Sequence, residues 1–245
     1  MKEIDDKVWQ SSEVVERYLD GIRGAVPFAE QQIEVMMRLV GSRSPVKNVL
    51  DLGCGNGILG AHILHRYPDI HLTLVDFSRP MLDAARESLE EGDNVEYLQA
   101  DYGTPDWVDL LGSEKSFDVV VSGYSIHHQP DNRKKEVYNE IFQRLEPGGI
   151  FINMEHIAPS SKSCSEHFLN HLVDNLSAQE EGKKSPRNRD QLLDVMKNNE
   201  DSQANILAPI DTQCEWLTEL GYTEVDCFFR VWELAVFGGL RPFDQ

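Results

Sequence analysis

Nowhere in its 245 residues does the chain carry an apolar run near the ~20 residues that cross a bilayer, so no membrane helix is expected. The opening stretch, Met1-Lys-Glu-Ile-Asp-Asp6, has no apolar core and does not read as a signal peptide, which places the protein in the cytoplasm. Cysteine is sparse. Cys54, Cys164, Cys214 and Cys227 are scattered with no C-x-x-C pair, which argues against a disulfide framework and against a thiolate metal centre. Positive charge is scarce too: 23 Lys and Arg face 42 Asp and Glu, a net charge of −19. Such a surface repels phosphate backbones, so nucleic acids and anionic membranes are not expected as partners and a small molecule is. A homodimer stays open.

What is present is an ordinary globular composition, 40% hydrophobic and 27% charged, long enough for one α/β domain over 1–245. Its organising stretch is Val49-Leu50-Asp51-Leu52-Gly53-Cys54-Gly55-Asn56-Gly57. An apolar run ends in an acid and alternating glycines, and a helical pattern follows through Ile58, Leu59, Ala61, Ile63 and Leu64. That is strand, tight turn, helix, the local geometry of a nucleotide-type site at the carboxyl end of a first strand.

Before it, residues 1–45 read as two helices, one carrying Val8, Trp9, Val14, Val15, Tyr18, Leu19 and Ile22, the other opened by Pro27. They either cap the sheet edge or cover a ligand. From Val46 to Glu155 strands alternate with helices: strands at 46–52, 70–75, 95–99, 117–122 and 150–154, helices at 57–66, 80–91, about 105–111 and 132–146. This implies a mostly parallel sheet with helices on both faces and all strand carboxyl ends on one edge. Residues 156–205 break the rhythm as a helical insertion, with an amphipathic helix through Phe168, Leu169, Leu172, Val173 and Leu176. A final helix and a strand hairpin close the chain over 206–245.

Asp51, Asp76, Asp101 and the stretch Ser122–His128 all fall at the same edge. Gly55-Asn-Gly57-Ile-Leu-Gly60 also fits the dinucleotide fingerprint, and an acid such as Asp76, about 20 residues on, serves the ribose of either cofactor class. None of the seven tyrosines has a lysine four residues later, which removes the Tyr-x-x-x-Lys pair of the short-chain dehydrogenases. Phe77 and Met81 follow Asp76, and Tyr102 follows Asp101, placed to flank a base; for Met81 plain helix packing is an equal reading.

Taken in order, Asp51-Leu-Gly53-Cys-Gly55-Asn-Gly57, Val75-Asp76, Gln99-Ala-Asp101, Phe117-Asp-Val-Val-Val-Ser122 and Leu145-Glu-Pro-Gly-Gly149 resemble the class I S-adenosylmethionine (SAM) methyltransferases. The resemblance spans roughly residues 46–155. It implies a Rossmann-like, seven-stranded sheet whose last strand is antiparallel, and SAM as cofactor. It places Asp51, Gly53 and Gly55 by the methionine part, Asp76 by the ribose and Asp101 by the adenine. A fainter similarity, through Arg23-Gly-Ala-Val-Pro27, the insertion and Trp232–Gly238, is to the carboxy-SAM synthases, which make a carboxylated SAM from prephenate. That family has Pro-Gly-Tyr where this chain has Pro27-Phe28-Ala29.

Methyl transfer from a sulfonium needs positioning and exclusion of water, and a base only where the acceptor must lose a proton. His127 and His128, with Tyr124 nearby, follow the fourth strand and supply candidates for that base. They could instead be structural, one holding the loop and one facing the ligand. Glu155 ends the fifth strand and is placed to orient an amine or hydroxyl. His127, His128 and Glu155 lack metal-ligand spacing. In the insertion, Lys183, Lys184, Arg187 and Arg189 cluster in an acidic chain, either as a solvated loop or with Arg187 or Arg189 turned inward to grip a substrate carboxylate. Three readings follow: a small-molecule methyltransferase, a carboxy-SAM-synthase-like enzyme, and a SAM-binding protein without catalysis.

Overall fold

The computed structural model describes residues 9–12, 15, 23–43, 45–89, 92, 94–112, 115–181, 183, 185–198 and 204–243. Val8, Val14, Tyr18, Leu19 and Ile22 of the first expected helix, and Lys184, lie outside the described residues. Seven strands form one sheet: β1 (Asn48–Leu52), β2 (His71–Asp76), β3 (Val95–Gln99), β4 (Phe117–Gly123), β5 (Leu145–His156), β6 (Thr223–Val231) and β7 (Leu234–Leu240). Their spatial order is β3-β2-β1-β4-β5-β7-β6. Strands β1 to β5 pair in parallel, and β7 runs antiparallel to both β5 and β6. The mostly parallel sheet with an antiparallel last strand is the architecture the sequence implied.

Burial on both faces explains why β1, β2, β4 and β7 are nearly continuous apolar runs. Successive residues serve opposite layers. Leu50, Leu52, Val120, Phe151 and Phe237 pack on one side with Val137, Tyr138 and Ile141 of α5 (Asp131–Arg144) and with Leu217 of α8 (Ile210–Glu219). Val49, Val119, Val121, Ile152 and Val236 pack on the other. They meet Met36 and Val40 of α1 (Ala29–Gly41), Leu59 and Ile63 of α2 (Ile58–Arg66), and Leu82 and Ala85 of α3 (Arg79–Ser88). Helix α3 starts on a side-chain cap, the Ser78 hydroxyl accepting from Met81 N at 3.3 Å. A short helix, α4 (Trp107–Leu110), follows β3.

Two boundaries differ from expectation. Helix α5 stops at Arg144, and β5 starts at Leu145 rather than Ile150. Leu145 pairs with Phe117 and Ile150 with Val119, so Glu146-Pro147-Gly148-Gly149 bulges out of the ladder instead of ending the helix. The insertion holds two helices, α6 (Lys162–Glu180) and α7 (Arg189–Asn198). They pack on each other and on Ala25 through Leu172, Val173, Leu176, Leu192 and Met196. Among the described residues no helix is long and apolar enough to cross a membrane.

The seam between β5 and β7 admits no side chain at Gly238. A Cβ there would lie 1.9 Å from the Phe151 carbonyl oxygen, a backbone atom that cannot step aside. Gly238→Ala is expected to cost about 3 kcal/mol of unfolding free energy in urea titrations, the upper range for overpacking. A cost under about 1 kcal/mol would show that the seam is looser than this.

Candidate active site

Because β1 to β5 run parallel, their carboxyl ends share one edge, and a cavity of about 400 Å³ opens along it. Its wall follows the strand order: Asp101 and Tyr102 after β3, Asp76 and Phe77 at β2, Gly53 and Gly55 after β1, then Gly123, Tyr124, His127 and His128 after β4, His156 at β5 and Leu234 at β7. Neighbouring strands lie roughly 4.8 Å apart, so each three-strand half of this edge spans roughly 10 Å. The cavity therefore has two ends, one over β3-β2-β1 and one over β4-β5-β7.

At the first end the glycine turn is fixed from both sides. Gly53 has φ 65°, a left-handed conformation open to glycine, and a Cβ there would strike the Ser125 hydroxyl at 1.9 Å. Below the turn, Asp51 is buried and its Oδ2 accepts from Gly60 N at 2.9 Å. Ser122, also buried, donates its hydroxyl to Leu52 O at 2.7 Å. Neither reaches the cavity wall; both hold the turn in place from beneath.

Asp76 does reach it. Its Oδ2 accepts from Gly55 N and its Oδ1 from Ser78 N, each at 2.8 Å. Each oxygen keeps a second lone pair, the acceptor pattern that two vicinal hydroxyls need. Burial raises the carboxyl to about 6 against these amide bonds. Met81 and Phe77 line the same end and pack with Trp9 and Val15. Tyr102 joins them, its hydroxyl 2.5 Å from Ser125 Oγ, and Asp101 offers an exposed carboxylate whose Oδ1 accepts from Gly103 N at 2.7 Å. The carboxylate acceptors and apolar flanks fit an adenosine.

At the other end stand three imidazoles. The His127 and His128 rings lie 4.1 Å apart and His127 and His156 5.8 Å. His127 Nδ1 is 2.5 Å from Oε1 of Glu155, which is buried behind the wall, not in it. Burial raises Glu155 to about 7 and holds His127 well below the usual histidine range. His156 Nε2 is paired with Glu233 Oε2 at 2.7 Å. Lys134, fully buried, donates to Ile206 O and to Asp131, and Ile206 N donates to His127 O at 2.9 Å, which pins residues 205–207 against the histidines. Tyr124 lines the cavity at φ 51°, its hydroxyl donating to Gln32 at 2.6 Å.

The insertion roofs this end. Ser165, Phe168, Leu169 and Leu172 of α6, at helical spacing, face the cavity with Met196 of α7 and Val26 and Pro27 of the N-terminal segment. Arg187 and Arg189 stand outside it. Arg187 pairs with Glu180 at 2.8 Å and, with Lys183, holds that carboxyl down at about 2. Arg189 binds Asp174 at 3.1 Å and Asn170 at 2.7 Å. Arg187 and Arg189 staple α6 to the start of α7 and do not turn inward, because their counter-charges lie within the same segment. His156, Glu233 and Asn205 were missed by the sequence reading; only the nearness of His156 to the end of the fifth strand signalled any of them. No group of His, Cys, Asp or Glu among the described residues has the geometry to hold a metal ion.

Asp76 makes a pH prediction. Its folded pKa, about 6, lies above its ordinary 3.8, so the proton favours the folded state. That contribution is complete below about pH 4 and is lost as pH rises through 6. The unfolding free energy of wild type minus that of Asp76→Asn should fall by about 2.5 kcal/mol between pH 4 and 7. A flat difference in urea titrations would show that burial does not hold the proton.

Comparison with known proteins agrees with this geometry. Residues 49–149 match the family model described as a methyltransferase domain. The carboxy-SAM synthase of Campylobacter lari is 27% identical over 152 residues, 61% of this chain and 62% of that protein. The ribosomal RNA large subunit methyltransferase G of Shewanella amazonensis is 30% identical over 134 residues, 50% of this chain and 33% of that protein. With an RNA enzyme among the relatives, the exclusion of nucleic acid drawn from net charge finds no support here. The chain spans roughly a third to three fifths of the length of the curated relatives it matches. An O-methyltransferase family protein from Burkholderia thailandensis superposes on 98% of this chain and 63% of its own length with a TM-score of 0.68 at 16% identity, a likeness of fold. Fold, glycine turn and family match agree in likening residues 49–149 to the SAM-dependent methyltransferase domains of the class I superfamily.

Proposed function

We propose that the protein transfers the SAM methyl group to a hydroxyl of a small, largely apolar acceptor, with His127 as the base. The observation that carries this is His127 itself, a neutral imidazole in the cavity wall with a buried carboxylate behind it. Asp76 would take the ribose hydroxyls, Asp101 the adenine amino group, and Phe77, Met81 and Tyr102 the faces of the base. Gly53 and Gly55 would lie along the methionine part. When bound, SAM supplies a methyl on a sulfonium, a leaving group already activated.

The chain's own part is to hold the acceptor, exclude water and remove a proton. With Glu155 ionised, His127 Nδ1–H donates to it and Nε2 carries the lone pair that receives the acceptor's proton; Glu155 then stabilises the imidazolium. With Glu155 protonated, its own hydroxyl donates to Nδ1, the ring takes the other tautomer and Nε2 can no longer accept. Phe168, Leu169, Leu172 and Met196 favour an apolar acceptor body. No Lys or Arg among the described residues lines the cavity. That argues against a phosphate-rich or carboxylate substrate, and so against RNA and against prephenate, although relatives of both kinds exist. A SAM-binding protein without catalysis would have no use for an oriented imidazole.

The tautomer argument sets the pH profile. kcat/KM should rise through about pH 7 as Glu155 ionises, and His127→Ala should lose roughly 10²–10⁴-fold in turnover while binding S-adenosylhomocysteine normally. Methyl transfer to a panel of phenols, followed by mass spectrometry, reads both. A His127→Ala variant as active as wild type would remove the base, and a SAM-derived product heavier by a carboxylate would favour the synthase reading.

A further inference from the structure

Glu233 sits in the two-residue turn between β6 and β7, after Trp232, whose φ of 54° is a strained conformation for a bulky side chain. The turn is pinned by Ile157 N donating to Glu233 O at 2.8 Å. It pushes a carboxylate into the roofed end of the cavity, where Glu233 is only 5% exposed. Oε2 is satisfied by His156 Nε2 at 2.7 Å. Oε1 is buried and has no hydrogen-bond partner among the described residues. A buried carboxylate oxygen left without a donor is rare in a folded chain and calls for one.

His156 cannot swing to serve both oxygens, since its Nδ1 lies 3.4 Å from the Asn205 amide and its ring packs 5.2 Å from Phe168. No Lys or Arg among the described residues reaches this wall. The missing partner is therefore not supplied by the described residues. Resting on the reading of this end as the acceptor compartment, we propose that Glu233 Oε1 binds a protonated amine of the acceptor, so that the substrate class is an apolar hydroxyl compound bearing an ammonium group away from the methylated oxygen. A charged donor suits the site, because a charge-assisted bond to a desolvated carboxylate outweighs one from a neutral hydroxyl. Phe168, an aromatic ring lining the same cavity, is compatible with a cation there.

Four phenols that differ only in their tail test this: tyramine, 4-(2-hydroxyethyl)phenol, 4-ethylphenol and 3-(4-hydroxyphenyl)propanoate, titrated by calorimetry into protein loaded with S-adenosylhomocysteine. Tyramine should bind at least 10-fold tighter than 4-ethylphenol, the neutral hydroxyl should fall between, and the propanoate should be weakest. In Glu233→Gln the tyramine preference should shrink to within twofold, with S-adenosylhomocysteine affinity and melting temperature as checks on folding. Should that variant not fold, the wild-type ranking decides alone. Equal affinity for tyramine and 4-ethylphenol, a preference for the neutral hydroxyl, a preference that survives in Glu233→Gln, or no binding of tyramine each overturns the proposal. A failure of the methyltransferase reading looks different: S-adenosylhomocysteine itself would not bind, or His127→Ala would leave methyl transfer intact.

Discussion

Four carboxylates, Asp51, Asp76, Glu155 and Glu233, are buried along one edge of the sheet, and the difficulty of keeping charge out of water shapes what surrounds them. The topology puts them there. Parallel strands deliver their carboxyl ends to a single side, and the β6–β7 turn reaches the same side because β7 runs antiparallel to β5. Each acid is held by donors that the turns supply. Gly60 N serves Asp51, Gly55 N and Ser78 N serve Asp76, and His156 N serves Glu155 at 2.9 Å. Glu233 relies on the His156 side chain through Oε2, and its Oε1 has no partner among the described residues.

The same chemistry does different work at the two ends. At Asp76 two amides fix the carboxylate, and the acid can meet hydroxyls without moving. At Glu155 a single amide and the Asn153 side chain leave the pair with His127 to decide where its proton sits. Asn153 in turn meets Tyr138, whose hydroxyl donates to Gln213 at 2.6 Å. That polar chain under the site is anchored in α5 and α8, so the orientation of the imidazole is set by the packing of the sheet's far face.

The first end was legible in the sequence because its information is local. Asp51, the glycines and Asp76 lie in two strand-to-turn segments whose spacing is fixed by one β-α-β unit. The second end was legible only in part. His127 and His128 announce themselves by following a strand, but the partner of His156 is Glu233, 77 positions away, brought there by a hairpin whose register no periodicity encodes. The fifth strand was read short because Pro147-Gly148-Gly149 looks like a helix stop, whereas a bulge absorbs it. The arginines were misjudged for the opposite reason. In a chain of net charge −19 they stood out as a basic cluster, yet Glu180, seven positions from Arg187, and Asp174, fifteen from Arg189 on the preceding helix, are the nearer counter-charges.

That reversal bears on which relative the chain follows in its chemistry. Taking up a carboxylate substrate requires a cation in the compartment where it lands, since an unpaired anion there would stand near Glu155 and Glu233, beside a His127 ring that burial keeps from charging freely. The two arginines available in the insertion are already spent on the outside of the roof, where they stiffen it. With the roof apolar inside and stapled outside, the acidic residues are left facing the cavity without an answering positive charge from the described residues. The compartment is electrostatically arranged for a cation. A SAM sulfonium at one end and a protonated amine at the other would both meet the same buried field, so one arrangement of carboxylates would hold cofactor and acceptor together.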